Sequence, residues 1–366
     1  MLNTIPITPG KLTGCLETLY KLRYPAYLAG PPGIGKSAVV KQFAQERGLR
    51  LITLMLSQVE PSDVRGLPFL DRQTERTRWL LPEFYPAPDD TSEGILFLDE
   101  LANAEPRVQV AAYQLLLDRK VGEYTLPPGW VCVAAGNRLE DNANVYELSS
   151  ALADRLVFFN VTCEPRDWLS WARENDIAPE VLAFIQVKPD FLDGNQMQQN
   201  VDQVIVPTPR SWERVSRILH IEKNKEIRQY LLGGVIGEAA SIEFFHVLEE
   251  IKDLPPMEDL FRTEIAHIRS MFPQTVAGLY GLAYSAAAYC DSLETYRKAC
   301  LIFNEFDQVD RNLPGAEIQT LAFEILLEKV DKRGQLLDLV ITPEYRAYRN
   351  KAREIVDLAK NLAGGV

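Results

Sequence analysis

The stretch 30-GPPGIGKS-37 decides the fold. It fits the pattern GxxxxGK[ST] and stands between an apolar run, 24-YPAYLAG-30, and an amphipathic stretch, 35-GKSAVVKQFAQERG-48. A strand, a tight turn and a helix are expected in that order, the setting in which such a turn cradles phosphates. Glycines let successive backbone N–H groups face inward around an anion, and a helix N-terminus adds a favourable field. Gly30, Pro31, Pro32, Gly33, Ile34, Gly35, Lys36 and Ser37 are therefore the expected nucleotide-binding loop. Within it, Lys36 would reach the β- and γ-phosphates of a nucleoside triphosphate, and the Ser37 hydroxyl would ligate Mg²⁺.

Outward from this loop, four more apolar runs follow: 49-LRLITLML-56, 94-GILFLDE-100, 130-WVCVAAGN-137 and 155-RLVFFNV-161. Near-continuous hydrophobicity in each suggests strands buried on both faces, hence a five-stranded parallel sheet covered by helices. Between them, 106-PRVQVAAYQLLLDRK-120 starts with proline and places Val108, Ala111, Ala112 and Leu115 on one helical face. Two stretches hold more chain than a crossover needs. Leu67–Leu70 and 77-TRWL-80 flank a polar turn as a hairpin, and 120-KVGEYTLPPGW-130 reads as a second. From residue 164 the pattern is helical throughout. The expected organisation is an α/β nucleotide-binding core over 1–163, a helical lid over 164–230 and an all-α extension over 231–366. In the extension, 233-GGVIGEAAS-241 reads as a small-residue face that lets another helix approach. The stretch 277-AGLYGLAYSAAAYCDSLETYRKAC-300 reads as a closely packed helix pair.

Two carboxylates close the run 95-ILFLDE-100 at the end of a central strand, where ligands of α/β sheets bind. Asp99 would hold Mg²⁺ through water, and Glu100 would polarise the attacking water. Asn137 ends the next run as a neutral amide able to sense the γ-phosphate. Arg155 stands just before the last strand, Arg210 opens a helix of the second half, and Arg138, directly after Asn137, reads as structural.

Composition narrows the partners. The 366 residues carry 39 Lys+Arg against 51 Asp+Glu, a net charge of −12, so general attraction to a nucleic-acid backbone is disfavoured. Hydrophobic residues at 46% and charged residues at 25% match a folded protein. Apolar runs fall short of the ~20 residues needed to cross a bilayer, and the first residues lack a secretory signal pattern. The 5 cysteines are scattered without a CxxC pair, as in reduced cytoplasmic proteins. The 3 histidines suggest no metal site. Arg65, Arg72, Arg76 and Arg78, with Phe69 and Trp79, form the one candidate basic patch, interleaved with Asp71 and Glu75.

Taken together, 30-GPPGIGKS-37, 95-ILFLDE-100, 134-AAGN-137, 149-SSALADRL-156 and 207-PTPRSWERV-215 resemble the AAA+ ATPases, and within them the MoxR-like branch. The branch resemblance rests on the two hairpins and the 62-SDVRGLP-68 loop. It implies that the hairpins are the helix-2 and pre-sensor-1 insertions. Asn137 takes the place of sensor 1, Arg210 that of sensor 2 on the lid, and Arg155 that of an arginine finger reaching a neighbouring subunit. The resemblance also implies a homo-oligomeric ring, a hexamer, and a von Willebrand factor A-type partner. Where polypeptide-threading relatives carry an aromatic pore loop, 57-SQVEPSDVRG-66 has no aromatic residue, which points to local remodelling of a protein client. Two alternatives stay open: a nucleic-acid-acting motor of translocase or restriction type, and a nucleotide-gated assembly scaffold.

Overall fold

In a computed structural model of the chain, residues 4–73, 75–141, 146, 154–194, 205–252, 254–310 and 312–351 are described. The chain divides into two compact units. The first comprises Met1–Trp168, Asp193–Asp202 and Thr208–Ser211; the second comprises Leu169–Leu192, Gln203–Pro207 and Trp212–Val366.

The first unit contains strands β1 (Pro6–Ile7), β2 (Ala26–Ala29), β3 (Arg50–Met55), β4 (Leu67–Asp71), β5 (Arg76–Leu80), β6 (Gly94–Asp99), β7 (Lys120–Val121), β8 (Tyr124–Thr125), β9 (Trp130–Gly136) and β10 (Val157–Val161). Six of them form a parallel sheet in the order β1-β10-β2-β9-β6-β3. The sixth strand, β1, adds to the five expected from the apolar runs. At two residues it is too short to leave a periodic signal, and Pro9 opens a helix directly after it. Strands β2, β6 and β9 are buried at every residue, whereas β3, at the edge, is only partly covered. That contrast accounts for the unbroken apolar runs of the central strands, which are covered on both faces.

Helices α1 (Pro9–Leu22), α2 (Lys36–Glu46), α3 (Pro61–Arg65) and α4 (Pro106–Asp118) belong to this unit. In α4 the face formed by Val108, Ala111, Ala112 and Leu115 is buried, with Pro106 in the first turn where its missing N–H costs nothing. Trp130 is fully buried over Gly94, where a Cβ would stand 2.7 Å from its ring. Both hairpins form. Strands β4 and β5 pair antiparallel, Leu67 opposite Leu80 and Phe69 opposite Arg78, and nearly all of their residues are exposed. Strands β7 and β8 make the second, shorter one.

The helical part contains α5 (Pro165–Glu174), α6 (Pro179–Val187), α7 (Pro209–Ile221), α8 (Lys225–Ile236), α9 (Glu238–Ile251), α10 (Met257–Arg262), α11 (Ile265–Ile268), α12 (Val276–Tyr289), α13 (Leu293–Asn304), α14 (Gly315–Lys332) and α15 (Leu336–Val340). Residues 343–351 are helical as well. Its core is aromatic: Phe184, Trp212 and Phe244 pack with ring centroids 5.0–5.6 Å apart, and the Trp212 indole N–H donates to the Phe191 carbonyl at 2.8 Å. The stretch 277–300 divides into α12 and α13, the latter started by a Ser292–Thr295 capping box. Gly281 of α12 lies under Ile251, where a Cβ would come within 3.1 Å. The expectation for 233-GGVIGEAAS-241 needs correction. Open space surrounds Gly233 and Gly234, so no helix presses on them, while Gly237 at φ +82° ends α8 and starts α9. Gly237 serves a chain break, while Ala240 and Ser241 are buried in α9. Among the described residues, no helix is long and apolar enough to cross a membrane.

Candidate nucleotide site

Strand β2 ends at Ala29 and the chain turns through residues 30–35 into α2. Two glycines in the turn take positive φ, Gly33 at +79° and Gly35 at +107°, a region that side chains with a Cβ avoid. Gly35 is the residue before the helix, so the first amides of α2 face out of its N-terminus with no intrahelical acceptor. The loop's root is tightly held. Gly30 donates its N–H to the Gly136 carbonyl at 3.3 Å, and a Cβ on Gly30 would lie 2.6 Å from the Val161 carbonyl.

Lys36 is only 8% exposed, yet its ammonium has three acceptors. It donates to the carbonyls of Gly30 at 2.6 Å and Pro31 at 3.0 Å, and to the Asn137 side-chain oxygen at 3.1 Å. Burial pushes its amine down to about 8, against the opposing pull of the Asp99 and Asp141 carboxylates. A lysine so placed has a strong electrostatic need for an anion.

The register explains why distant residues meet here. Strand β6 lies between β3 and β9, with Met55 opposite Asp99 and Leu98 opposite Ala134, so the exits of these strands converge. Asp99 is 7% exposed; it accepts from the Ser37 hydroxyl at 2.6 Å and from the Glu100 N–H at 2.9 Å. Glu100 adopts a left-handed backbone, φ 58° and ψ 33°, and its carboxylate accepts from the Ser57 hydroxyl, in the short turn that follows β3. The Asn137 amide nitrogen donates to Asn103 at 3.3 Å, while its oxygen serves Lys36.

The structure thus brings Lys36, Ser37, Asp99, Glu100 and Asn137 to one end of the sheet. Arg210 arrives by its backbone: its N–H donates to the Gly33 carbonyl at 3.3 Å, and its exposed side chain is close enough to depress the Lys36 amine further. Arg155 does not join this group. Its guanidinium is 57% exposed and stands 3.9 Å from Asp118 at the end of α4. Residues 149–153 of the resemblance lie outside the described residues. Ser57, Asn103, Asp141 and Asn160 went unnoticed in the sequence. Position directly after a strand was the available signal for Ser57; nothing local marks the other three.

The donor set fits Mg²⁺. A buried carboxylate and a hydroxyl within 2.6 Å of each other are hard oxygen ligands, the kind this ion takes alongside phosphate oxygens and water. Among the described residues no group of three or more His, Cys, Asp or Glu could cage a metal by itself.

No curated protein is similar enough to this chain to match it. Many solved structures match this chain. One is a RuvB mutant of Thermotoga maritima, 17% identical over 75% of this chain and 80% of its own, with a TM-score of 0.39. A candidate ATPase of Cytophaga hutchinsonii is 15% identical over 93% and 90%, with a TM-score of 0.36. The Thermotoga maritima RuvB Holliday junction branch migration motor is 17% identical over 76% and 80%, also at 0.36. Likenesses this distant carry no argument for this chain. The family comparison is more direct, because it covers the residues that build the site. Residues 25–156 match the AAA domain of the dynein-related subfamily, a stretch that holds the phosphate loop, the central strands of the parallel sheet and the carboxylates at its end.

Proposed function

We propose that this chain hydrolyses Mg-ATP as a subunit of a MoxR-like AAA+ ring and uses the energy to remodel a protein partner. The observation that carries the proposal is the part-buried contact of Ser37 with Asp99 beside the buried Lys36, with Glu100 next in the chain. Each group then has a task. Lys36 leaves the carbonyls of Gly30 and Pro31 for the β- and γ-phosphates. Glu100 accepts the proton of the attacking water as the bond from the γ-phosphorus to its bridging oxygen breaks, releasing ADP and phosphate. Asn137 orients that water. Ser37 and Asp99 would hold Mg²⁺, which neutralises charge on the phosphates when bound.

Arg155 and Arg210 complete the reading. The exposure of Arg155 suits a finger directed at a neighbouring subunit, and Arg210 would sense nucleotide from the helix it opens within the lid, residues 164–230, with 231–366 as an extension. A hexameric ring and a von Willebrand factor A-type partner follow from the family resemblance, and a cytoplasmic setting from the scattered cysteines. A nucleic-acid motor is the second reading. Phe69 and Trp79 are exposed beside Arg78 and Arg76 on β4 and β5, a surface able to stack on single strands. Against it, Arg78 is paired with Asp71 at 3.2 Å, and the net charge is −12. A scaffold without turnover fits poorly, because Glu100 is in place.

The test is the Glu100→Gln variant used as an ATP-locked trap, with co-purifying material identified by mass spectrometry and nuclease sensitivity. A protein retained only with ATP supports the proposal. Retained nucleic acid in place of protein favours the motor, and a variant that turns over ATP at the normal rate removes the hydrolytic assignment.

A further inference from the structure

Arg138 leaves the end of β9 one residue after Asn137. Asp141 grips its guanidinium as a fork: Nη2 donates to Oδ1 at 2.8 Å, and Nε lies 3.1 Å from Oδ1 and 3.2 Å from Oδ2. The backbone closes the same turn, with the Arg138 N–H donating to Asp141 Oδ2 at 2.7 Å and the Asp141 N–H to the Arg138 carbonyl at 3.1 Å. The Asp141 side chain is 4% exposed and that of Arg138 20%. Glu140 stands farther off, 3.6 Å from Nε. The remaining arm, Nη1, donates to the Asn160 side-chain oxygen on β10 at 3.1 Å.

The sheet register shows what this last bond crosses. Gly136 on β9, Ala29 on β2 and Asn160 on β10 lie in one row. Strands in a sheet are about 4.8 Å apart, so Arg138 reaches across β2 to the second neighbour, roughly 10 Å away. It does so where Gly30 leaves the sheet to begin the phosphate loop. Asn137 sits between Gly136, which accepts from Gly30, and Arg138, which is forked. Its side-chain oxygen is thereby presented to Lys36.

We propose that Arg138 is a positioning residue: clamped by Asp141 and anchored on Asn160, it straps the exit of β9 to β10 across the root of the phosphate loop and holds the Asn137 amide at Lys36. The guanidinium itself is committed to Asp141 and Asn160, so it acts through Asn137. Lysine cannot replace it, because an ammonium lacks the planar fork that fits a carboxylate with two donors and leaves a third for Asn160. Its role in turnover rests on the ATP-hydrolysing reading above; its role in placing Asn137 does not.

The experiment compares Arg138→Lys, Asp141→Asn and Asn160→Ala in the full chain, each alone and combined with Asn137→Ala. Misplacing a group at a reacting centre by an ångström costs on the order of 10²-fold in rate. We expect kcat to fall by about that factor in Arg138→Lys and Asp141→Asn, and less in Asn160→Ala, with ATP affinity kept within about threefold. In the Asn137→Ala background the same substitutions should add nothing further. Independent, multiplicative losses, or a loss of affinity parallel to the loss of kcat, would overturn the positioning role. A second readout needs no turnover: the Asn137 side-chain amide resonance of asparagine-¹⁵N-labelled protein, assigned by its disappearance in Asn137→Ala. It should move or broaden in Asp141→Asn, and an unchanged resonance would overturn the proposal. Wild-type protein that binds ATP without hydrolysing it would count against the enzymatic reading, leaving the strap to be decided by this resonance.

Discussion

Buried polar groups behave differently in the two units. At the end of the sheet, Lys36 and Asp99 are almost wholly enclosed, and their partners include side chains from distant segments: Asn137 for the lysine and Ser37 for the aspartate. In the helical unit, three buried polar side chains answer to the backbone. Ser216 accepts from the Ala178 N–H at 2.8 Å, Gln319 donates to the Phe303 carbonyl at 2.9 Å, and Thr342 donates to the Leu339 carbonyl at 2.7 Å. A side chain that satisfies a nearby backbone group holds a fold together. Charges gathered from separate strands and kept in low dielectric are costly to maintain and point to a ligand. On the proposed function, chemistry belongs to the first unit and support to the second.

That contrast can be broken by substitution, and the largest effect is expected in the first unit. Lys36→Ala should weaken ATP binding by at least about 100-fold by calorimetry, since it removes the charge facing the phosphates. Retained affinity would show that the buried lysine does not face a nucleotide. Next is Arg155→Ala, expected to lower turnover by about 10³-fold with ATP affinity preserved. Mixing it with Lys36→Ala subunits should restore part of the rate, because each variant supplies what the other lacks. No recovery at high protein concentration would argue against a finger acting in trans.

In the second unit the expected effects are on stability. Phe323 is fully buried, stacked on Tyr348 at 3.7 Å and edge-on to Phe303 at 5.8 Å. Phe323→Ala should cost about 3–5 kcal/mol by denaturant unfolding, with ATP affinity changed less than about threefold. A large loss of affinity would mean that the helical core takes part in the site. The mildest probe concerns thiols. Burial pushes Cys132, Cys290 and Cys300 up to about 12 and raises Cys163 as well, while Cys15 is partly exposed. Alkylation needs the thiolate, so raising a thiol from 9.0 to about 12 cuts the reactive fraction at pH 8 by about 10³-fold. Iodoacetamide at pH 8 should label Cys15 first in the native protein and the others only after unfolding, with peptide mapping as the check.

What could be read in advance follows the distance over which each signal acts. The phosphate loop is eight consecutive residues whose conformation depends on local glycines, so 30-GPPGIGKS-37 suffices to recognise it. Asp99 and Glu100 stand out because a fully buried strand ends abruptly in two charges. Strand β1 was hidden by its length of two residues. Ser57, Asn103 and Asn160 acquire meaning only through strand order, which sets the end of β3 beside Glu100 and places β10 within reach of Arg138. Gly233 and Gly234 mislead for the same reason: small residues permit a close neighbour, but packing elsewhere decides whether one comes.

The most direct test of the account is Mg-ATP turnover by Glu100→Gln beside the wild-type chain, with ATP binding measured on the same samples. Removing the group that takes the proton from water should slow hydrolysis by about 10²–10⁴-fold while binding stays intact. Equal turnover in the two proteins would contradict the assignment of Glu100 and, with it, the reading of this strand end as a hydrolytic site.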